Sequence, residues 1–478
     1  LGLAACGGSG SATAPSTGSV NTGGNAGGSS GQGTGGSNGG STTGTTNFIL
    51  TSPVMIEGGA MPGEHSCDGH AGSPPLAWSG VPVGTKSLAL VMTTIPADGV
   101  TKYNWLLYNL SANRQALEAA TFGVADYGVG SDGPVPGYQP PCSQGGGAKV
   151  YTFTLYALSA PVNAAAKPDG VTLTGLLAPL TLAKASLNVS YTRSASPSGS
   201  SSACLLVRNA VQGGGGTAQV GCDAQYAYIS SEGLPTHTMM DGITASNLQV
   251  PTAQRFLGTN AWRIPLTPRL ADAPTSVTDG PVGVAVNGVP IFNPCKQGGC
   301  QNGDTKVLGE LDACNGHAGR ADDYHYHIAP THLQSIVGKK VPIAYALDGF
   351  PIYGETEVDG KKVIGLDAFN GHFDSKKNYH YHATKNYPYI NGGFKGVVTE
   401  IEGQVDPQSL TKAFRPAGEP LRGAVITGLE RVGDSTFDLK YTLNGSEYHV
   451  KYTASLGEVS MEFIDSSGSV RREVYQRR

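Results

Sequence analysis

Leu311-Asp-Ala-Cys-Asn-Gly-His317 followed by Tyr324-His-Tyr-His327 recurs 55 residues on, as Leu366-Asp-Ala-Phe-Asn-Gly-His372 followed by Tyr379-His-Tyr-His382. Upstream, Val286-Asn-Gly-Val-Pro-Ile-Phe292 echoes Leu347-Asp-Gly-Phe-Pro-Ile-Tyr353. Asn-Gly and Asp-Gly between apolar runs are strong tight-turn signals. The repeat therefore predicts a duplicated β-unit: a strand, a turn, a second strand, then a histidine segment.

Residues i and i+2 of a strand share a face. His325 and His327 then point one way while Tyr324 and Tyr326 point the other. Two imidazoles at that spacing can converge on one metal ion, and His317 can return as a third ligand. His372, His380 and His382 repeat the set. His237, in Gly233-Leu-Pro-Thr-His237, is a seventh candidate ligand. Imidazole suits Zn, Cu, Fe and Ni, with Zn or Cu the leading expectation. Asp312, Asp367, Asp322 and Asp323 are further ligands or partners of the imidazoles. One Tyr-His alternation is satisfied by a half-buried strand hydrogen-bonded to carbonyls, but two copies, each with its own Gly-His, favour metal. Each tetrad forms its own site or both share one. His332 and His449 fall outside the pattern.

These residues, from Tyr226 to Gly396, resemble the YHYH domain family, to which we assign residues 222–400. The resemblance implies little about activity. Where that family often has a Cys after the first tetrad, Thr331-His332 stand here, which leaves Cys295 or Cys300 as the expected partner of Cys314.

The N-terminal third has a different texture. Ser87–Met92, Trp105–Asn109, Val150–Ala157 and Ala185–Tyr191 read as strands between Gly/Pro clusters, with a helix expected over Thr174–Lys184. Cys67-Asp-Gly69, Ser73-Pro-Pro-Leu-Ala-Trp78, Pro140-Pro-Cys142 and Tyr151-Thr-Phe-Thr-Leu-Tyr-Ala-Leu158 occur in order. Residues 47–193 thereby resemble the phosphatidylethanolamine-binding protein family, in its bacterial Raf-kinase-inhibitor-like branch. That implies a β-sandwich with a small anion pocket. The family's Asp-Pro-Asp-Ala-Pro element is Thr94-Ile-Pro-Ala-Asp98 here, and two of its histidines are Asn104 and Lys149. Asp68, Asn104 and Lys149 remain as candidate contacts for a phosphate-bearing small molecule or phospholipid head group, with Ser143–Gly147 as backbone donors.

The first residues, Leu1-Gly-Leu-Ala-Ala-Cys6, resemble a bacterial lipobox, which makes Cys6 the lipidated residue. Residues 7–46 are a Gly/Ser/Thr tether with a mean span of roughly 35 Å. A second linker is expected over 194–221 and a small β-meander over 401–478. Seven cysteines follow Cys6. Cys67–Cys142, Cys204–Cys222 and one pair among Cys295, Cys300 and Cys314 are the expected disulfides, in an oxidising compartment.

The whole chain reads as mainly β. Its 478 residues predict two to four domains, and a net charge of −4 lacks the basic excess of a nucleic-acid binder. The favoured reading is a lipid-anchored, extracytoplasmic metal-binding protein of a bacterial outer membrane or cell surface. Gly7, where an inner-membrane protein often has Asp, carries the membrane preference. One alternative is a hydrolase or redox enzyme on the same histidines, with Asp322, Asp323 or Asp374 as base. It lacks a His-Glu-x-x-His or Gly-x-Ser-x-Gly motif. The other is a metal-free adhesive protein.

Overall fold

The computed structural model describes residues 47–121, 124–132, 137–142, 147–164, 167–193, 201–433, 435–454 and 457–477. Cys6, the tether and four of the five residues at 143–147 lie outside them. No helix among the described residues is long and apolar enough to cross a membrane.

The first unit is a sandwich. Its larger sheet runs in the order Asp126–Tyr127, Lys102–Ser111, Ser87–Thr94, Ala148–Leu158, Thr181–Thr192, all antiparallel. Strand alternation divides its side chains. Leu88, Leu90 and Met92 join Trp105, Phe153 and Leu187 beneath the small sheet that carries Leu50 and Trp78. Ala89 and Val91 face Leu173 and Leu177 of the helix Gly170–Leu177. That helix starts earlier than expected because Asp169 caps it, accepting from the Thr172 N–H at 2.7 Å. Thr181–Thr192 becomes a strand instead, since Leu187, Val189 and Tyr191 alternate into the core.

Residues 201–222 are not the expected linker. Ser201 caps a helix over Ser202–Gly213. Cys204, Val207, Ala210 and Val211 form its buried stripe, and their spacing is that of one helix face. Cys204 is bonded to Cys222. Glycine ends the helix where close approach demands it, for a Cβ on Gly214 would lie 2.5 Å from the Val286 carbonyl. Cys67–Cys142 is the second expected disulfide, and the third joins Cys295 to Cys300. Neither of those two is therefore the partner of Cys314.

The histidine repeat builds one eight-stranded sheet. Its order is Gly316–Ala318, Tyr324–Tyr326, Pro290–Phe292, Pro281–Ala285, Ala344–Ala346, Pro351–Tyr353, Tyr379–His382, Gly371–Phe373. The order reads the same from both ends, one repeat on each side. At the middle, Pro281–Ala285 pairs antiparallel with Ala344–Ala346, setting Val284 opposite Tyr345. Gly288 and Gly349 take positive φ (84° and 94°) at the predicted turns. Each tetrad strand then lies parallel to the second strand of its own unit.

The C-terminal strands Val425–Arg431, Thr436–Leu443, Ser446–Ala454, Glu458–Ile464 and Val470–Gln476 form the expected meander in chain order. Their apolar face belongs to the same core as the histidine repeat. Asp322, a candidate ligand and base, is absorbed by this junction. Arg415 grips it with two bonds of 2.9 Å, and both residues are buried. Removing the guanidinium leaves a buried carboxylate unpaired, so Arg415→Ala is expected to cost about 3–5 kcal/mol in chemical denaturation.

Candidate metal centres

Each centre starts from a two-stranded hairpin. His317 stands directly across from His325, and His372 across from His380. The third imidazole, His327 or His382, lies two residues along the same face. Alternation and register together bring three rings to one point in each unit. His325 Nε2 lies 3.1 Å from His327 Nε2, which lies 3.1 Å from His317 Nε2. His372 and His380 meet by their Nε2 atoms at 3.1 Å.

The opposite ring nitrogens decide what these contacts mean. His325 Nδ1 faces the Asp323 carbonyl at 3.0 Å, and His327 Nδ1 faces that of Asn293. His372, His380 and His382 direct Nδ1 at the carbonyls of Ile364, Asn378 and Gly354, at 3.0, 3.4 and 2.8 Å. A carbonyl only accepts, so each Nδ1 carries the proton. In a neutral ring Nε2 is then a bare lone pair. Lone pairs meet at about 3.1 Å with no proton between them. An ion at ~2.0–2.1 Å from each, at a tetrahedral angle, would separate them by roughly 3.3 Å.

Protonation is the other way to relieve the conflict, and burial opposes it. Desolvation, then the neighbouring His325, pushes His327 down to about 3. Desolvation brings His382 to about 4 and holds His317 well below its usual range. His382 is fully buried and its Nε2 has no hydrogen-bond partner. The donor set fits a divalent transition metal.

The other strand face is a lock. Tyr324 donates to Asp312 at 2.7 Å, and Tyr379 to Asp367 at 2.8 Å. Asp312 also accepts from the N–H groups of Cys314 and Gly316, as Asp367 does from Phe369 and Gly371. These two carboxylates hold the Asn-Gly-His turns and are not ligands. Asp374 likewise accepts from its own turn, at Lys376 and Asn378. Of these candidate aspartates, among the described residues, Asp323 is the one that reaches a triad imidazole, lying 3.2 Å from His325 Nδ1.

His237 is on the tyrosine face and joins neither triad. Its Nδ1 donates to Thr238 and its Nε2 accepts from the Tyr326 hydroxyl, both at 2.7 Å. It neighbours Cys314 and His332 instead. Alternation itself excludes it, since Tyr326 must point away from His325 and His327.

Two residues missed by the sequence reading complete the picture. Glu357 faces the second triad, at 3.3 Å from His372 Nε2, 3.7 Å from His382 and 3.9 Å from His380. Lys296 stands near the first triad, paired to Glu310 at 2.6 Å. Five strand spacings of ~4.8 Å separate the tetrad strands, so the two triads are roughly 24 Å apart and do not share one ion.

The three candidate anion contacts have partners within the protein. Arg193 holds Asp68 at 2.8 and 2.9 Å, and Tyr191 donates to it at 3.0 Å. Asn104 is buried and donates to the Gln139 carbonyl. Lys149, on the Ala148–Leu158 strand, is engaged as well.

Comparison with known proteins finds two families in the chain. Residues 51–192 match the phosphatidylethanolamine-binding protein family, and residues 261–362 match the YHYH protein family. The second match takes in the first tetrad and stops before the second. A UPF0098 protein of Methanothermobacter thermautotrophicus is 37% identical over 108 residues, 21% of this chain and 69% of that one. The "Putative lipoprotein LppC" of Mycobacterium tuberculosis is 33% identical over 110 residues, 23% and 54% of the two chains. The crystal structure of E. coli YbcL, titled a new member of the mammalian PEBP family, matches at 25% identity. It spans 31% of this chain and 99% of that one, with a TM-score of 0.29.

Depressed histidines give a stability profile of definite sign. Between an unfolded value of ~6.5 and the folded values of about 3 and 4, the unfolded chain binds more protons. Stability is full above the unfolded value and is lost as pH falls through this window. The Tm of metal-free protein, followed by calorimetry, should be level above neutrality and fall steadily on acidification. A level profile through the window would contradict a neutral His327 and His382 in the folded chain.

Proposed function

Because the chain belongs to the phosphatidylethanolamine-binding protein family through residues 51–192 and carries a YHYH domain at 261–362, we propose a lipid-anchored, extracytoplasmic protein that binds two transition-metal ions in its histidine repeat. One observation carries the reading. The Nδ1 atoms of the tetrad histidines and of His372 are committed to carbonyls while unprotonated Nε2 atoms converge. That is the arrangement by which backbone carbonyls orient imidazole ligands. His317, His325 and His327 hold one ion, and His372, His380 and His382 with Glu357 hold the other. Zn²⁺ and Cu²⁺ fit an imidazole set best.

Three disulfides among the described residues support an oxidising compartment. The lipoprotein name of a relative, with Leu1-Gly-Leu-Ala-Ala-Cys6, supports attachment at Cys6 to a bacterial outer membrane or cell surface. The phosphatidylethanolamine-binding protein domain serves as a neighbouring module whose pocket carboxylate Asp68 is neutralised by Arg193.

Elemental analysis of untagged protein tests the reading. Near two equivalents of Zn or Cu per chain are expected. One equivalent should remain in H325A/H327A, and almost none when H380A/H382A is added, with circular dichroism confirming the fold. Wild-type protein that holds no metal and refuses added Zn²⁺ and Cu²⁺ would overturn it.

A further inference from the structure

The two centres come from one repeat, yet they have diverged at positions beside the imidazoles. The strand-turn-strand half of the unit recurs with an offset of 61 residues, so that Phe292 matches Tyr353. Four residues beyond each stand Lys296 and Glu357. In the second unit, that position brings a carboxylate within 3.3–3.9 Å of three Nε2 atoms. In the first, it brings an ammonium, which binds Glu310 at 2.6 Å. The Lys296–Glu310 pair keeps the Glu310 carboxylate occupied. The ligand atoms gathered in the first centre are therefore three imidazoles, and in the second three imidazoles and a carboxylate.

Resting on the metal-binding reading above, we infer that the first centre keeps one coordination position open for a small exogenous anion, and that the second is closed by Glu357. Three neutral imidazoles leave the full 2+ charge of an ion uncompensated, which favours an anionic fourth ligand. Glu357 removes one unit of that charge and fills the fourth tetrahedral position. Three protein ligands with an open place is the pattern of reactive zinc sites, and four is the pattern of structural ones. The shell around the first centre differs in the same sense. Asp323 stands beside His325 Nδ1, where its counterpart Asn378 is uncharged. A carboxylate behind an imidazole raises its basicity and helps hold an ion with fewer ligands.

Cobalt(II) substitution reads the two centres separately. H380A/H382A leaves only the first centre and H325A/H327A only the second, and visible d–d absorption reports coordination in each. Azide should shift the spectrum of the first centre and bind the second at least about tenfold more weakly. Lys296→Glu should abolish the response at the first centre, and Glu357→Gln should create one at the second. Cobalt bound at both centres with equal azide responses, or with none, would overturn this inference and leave metal binding intact. Failure of either centre to take up cobalt would overturn the metal-binding reading with it.

Discussion

A β-strand turns its side chains over every residue, and in this protein that geometric fact separates chemistry from support. Along Tyr324–His327 and Tyr379–His382, one face receives imidazoles and the other receives phenols. Tyr324, Tyr326 and Tyr381 are fully buried. Their hydroxyls end on Asp312, on Asn287 and His237, and on Asp348. A strand pinned through its tyrosines cannot slide by one residue without burying histidine where those acids wait. The register that gathers the imidazoles is thus enforced from behind the sheet.

Much of this was legible because strand periodicity and the 55-residue repeat are local properties of the sequence. The two triads, the duplicated hairpins and the terminal meander follow from spacing or turn residues, whereas the Cys295–Cys300 pairing, which leaves Cys314 to another partner, does not. Helix limits were less legible. Asp169 and Ser201 are N-caps lying in Gly/Pro- or Ser-rich surroundings, and such surroundings read as linker when the apolar stripe behind them is short. His237 could not be assigned to either triad from sequence, because a lone histidine carries no periodicity that gives it a face; it stands beside Cys314 and His332. Asp322 was misplaced because its partner, Arg415, lies 93 residues away. Glu357 had a signal, since it sits four residues past the end of the echo between Phe292 and Tyr353.

The carbonyls behind the imidazoles matter as much as the imidazoles. Had Nδ1 faced hydroxyls or water, each ring could exchange tautomers, and the close Nε2 pairs would be ordinary hydrogen bonds. With backbone acceptors in place, the rings arrive already deprotonated toward one another. That cost is met elsewhere in the fold, by the buried apolar surface shared between the repeat and the meander.

The palindromic strand order has a further consequence. Its central pairing, with Gly283 against Ala346 and Ala285 against Ala344, is isologous in form, like the interface of a two-fold dimer. In a true homodimer every substitution is made twice, so both sites must share one coordination chemistry. Joining the two halves in one chain lifts that constraint. Lys296 and Glu357 can then stand at corresponding places with opposite charge, and the two halves of one scaffold can present different ligand sets.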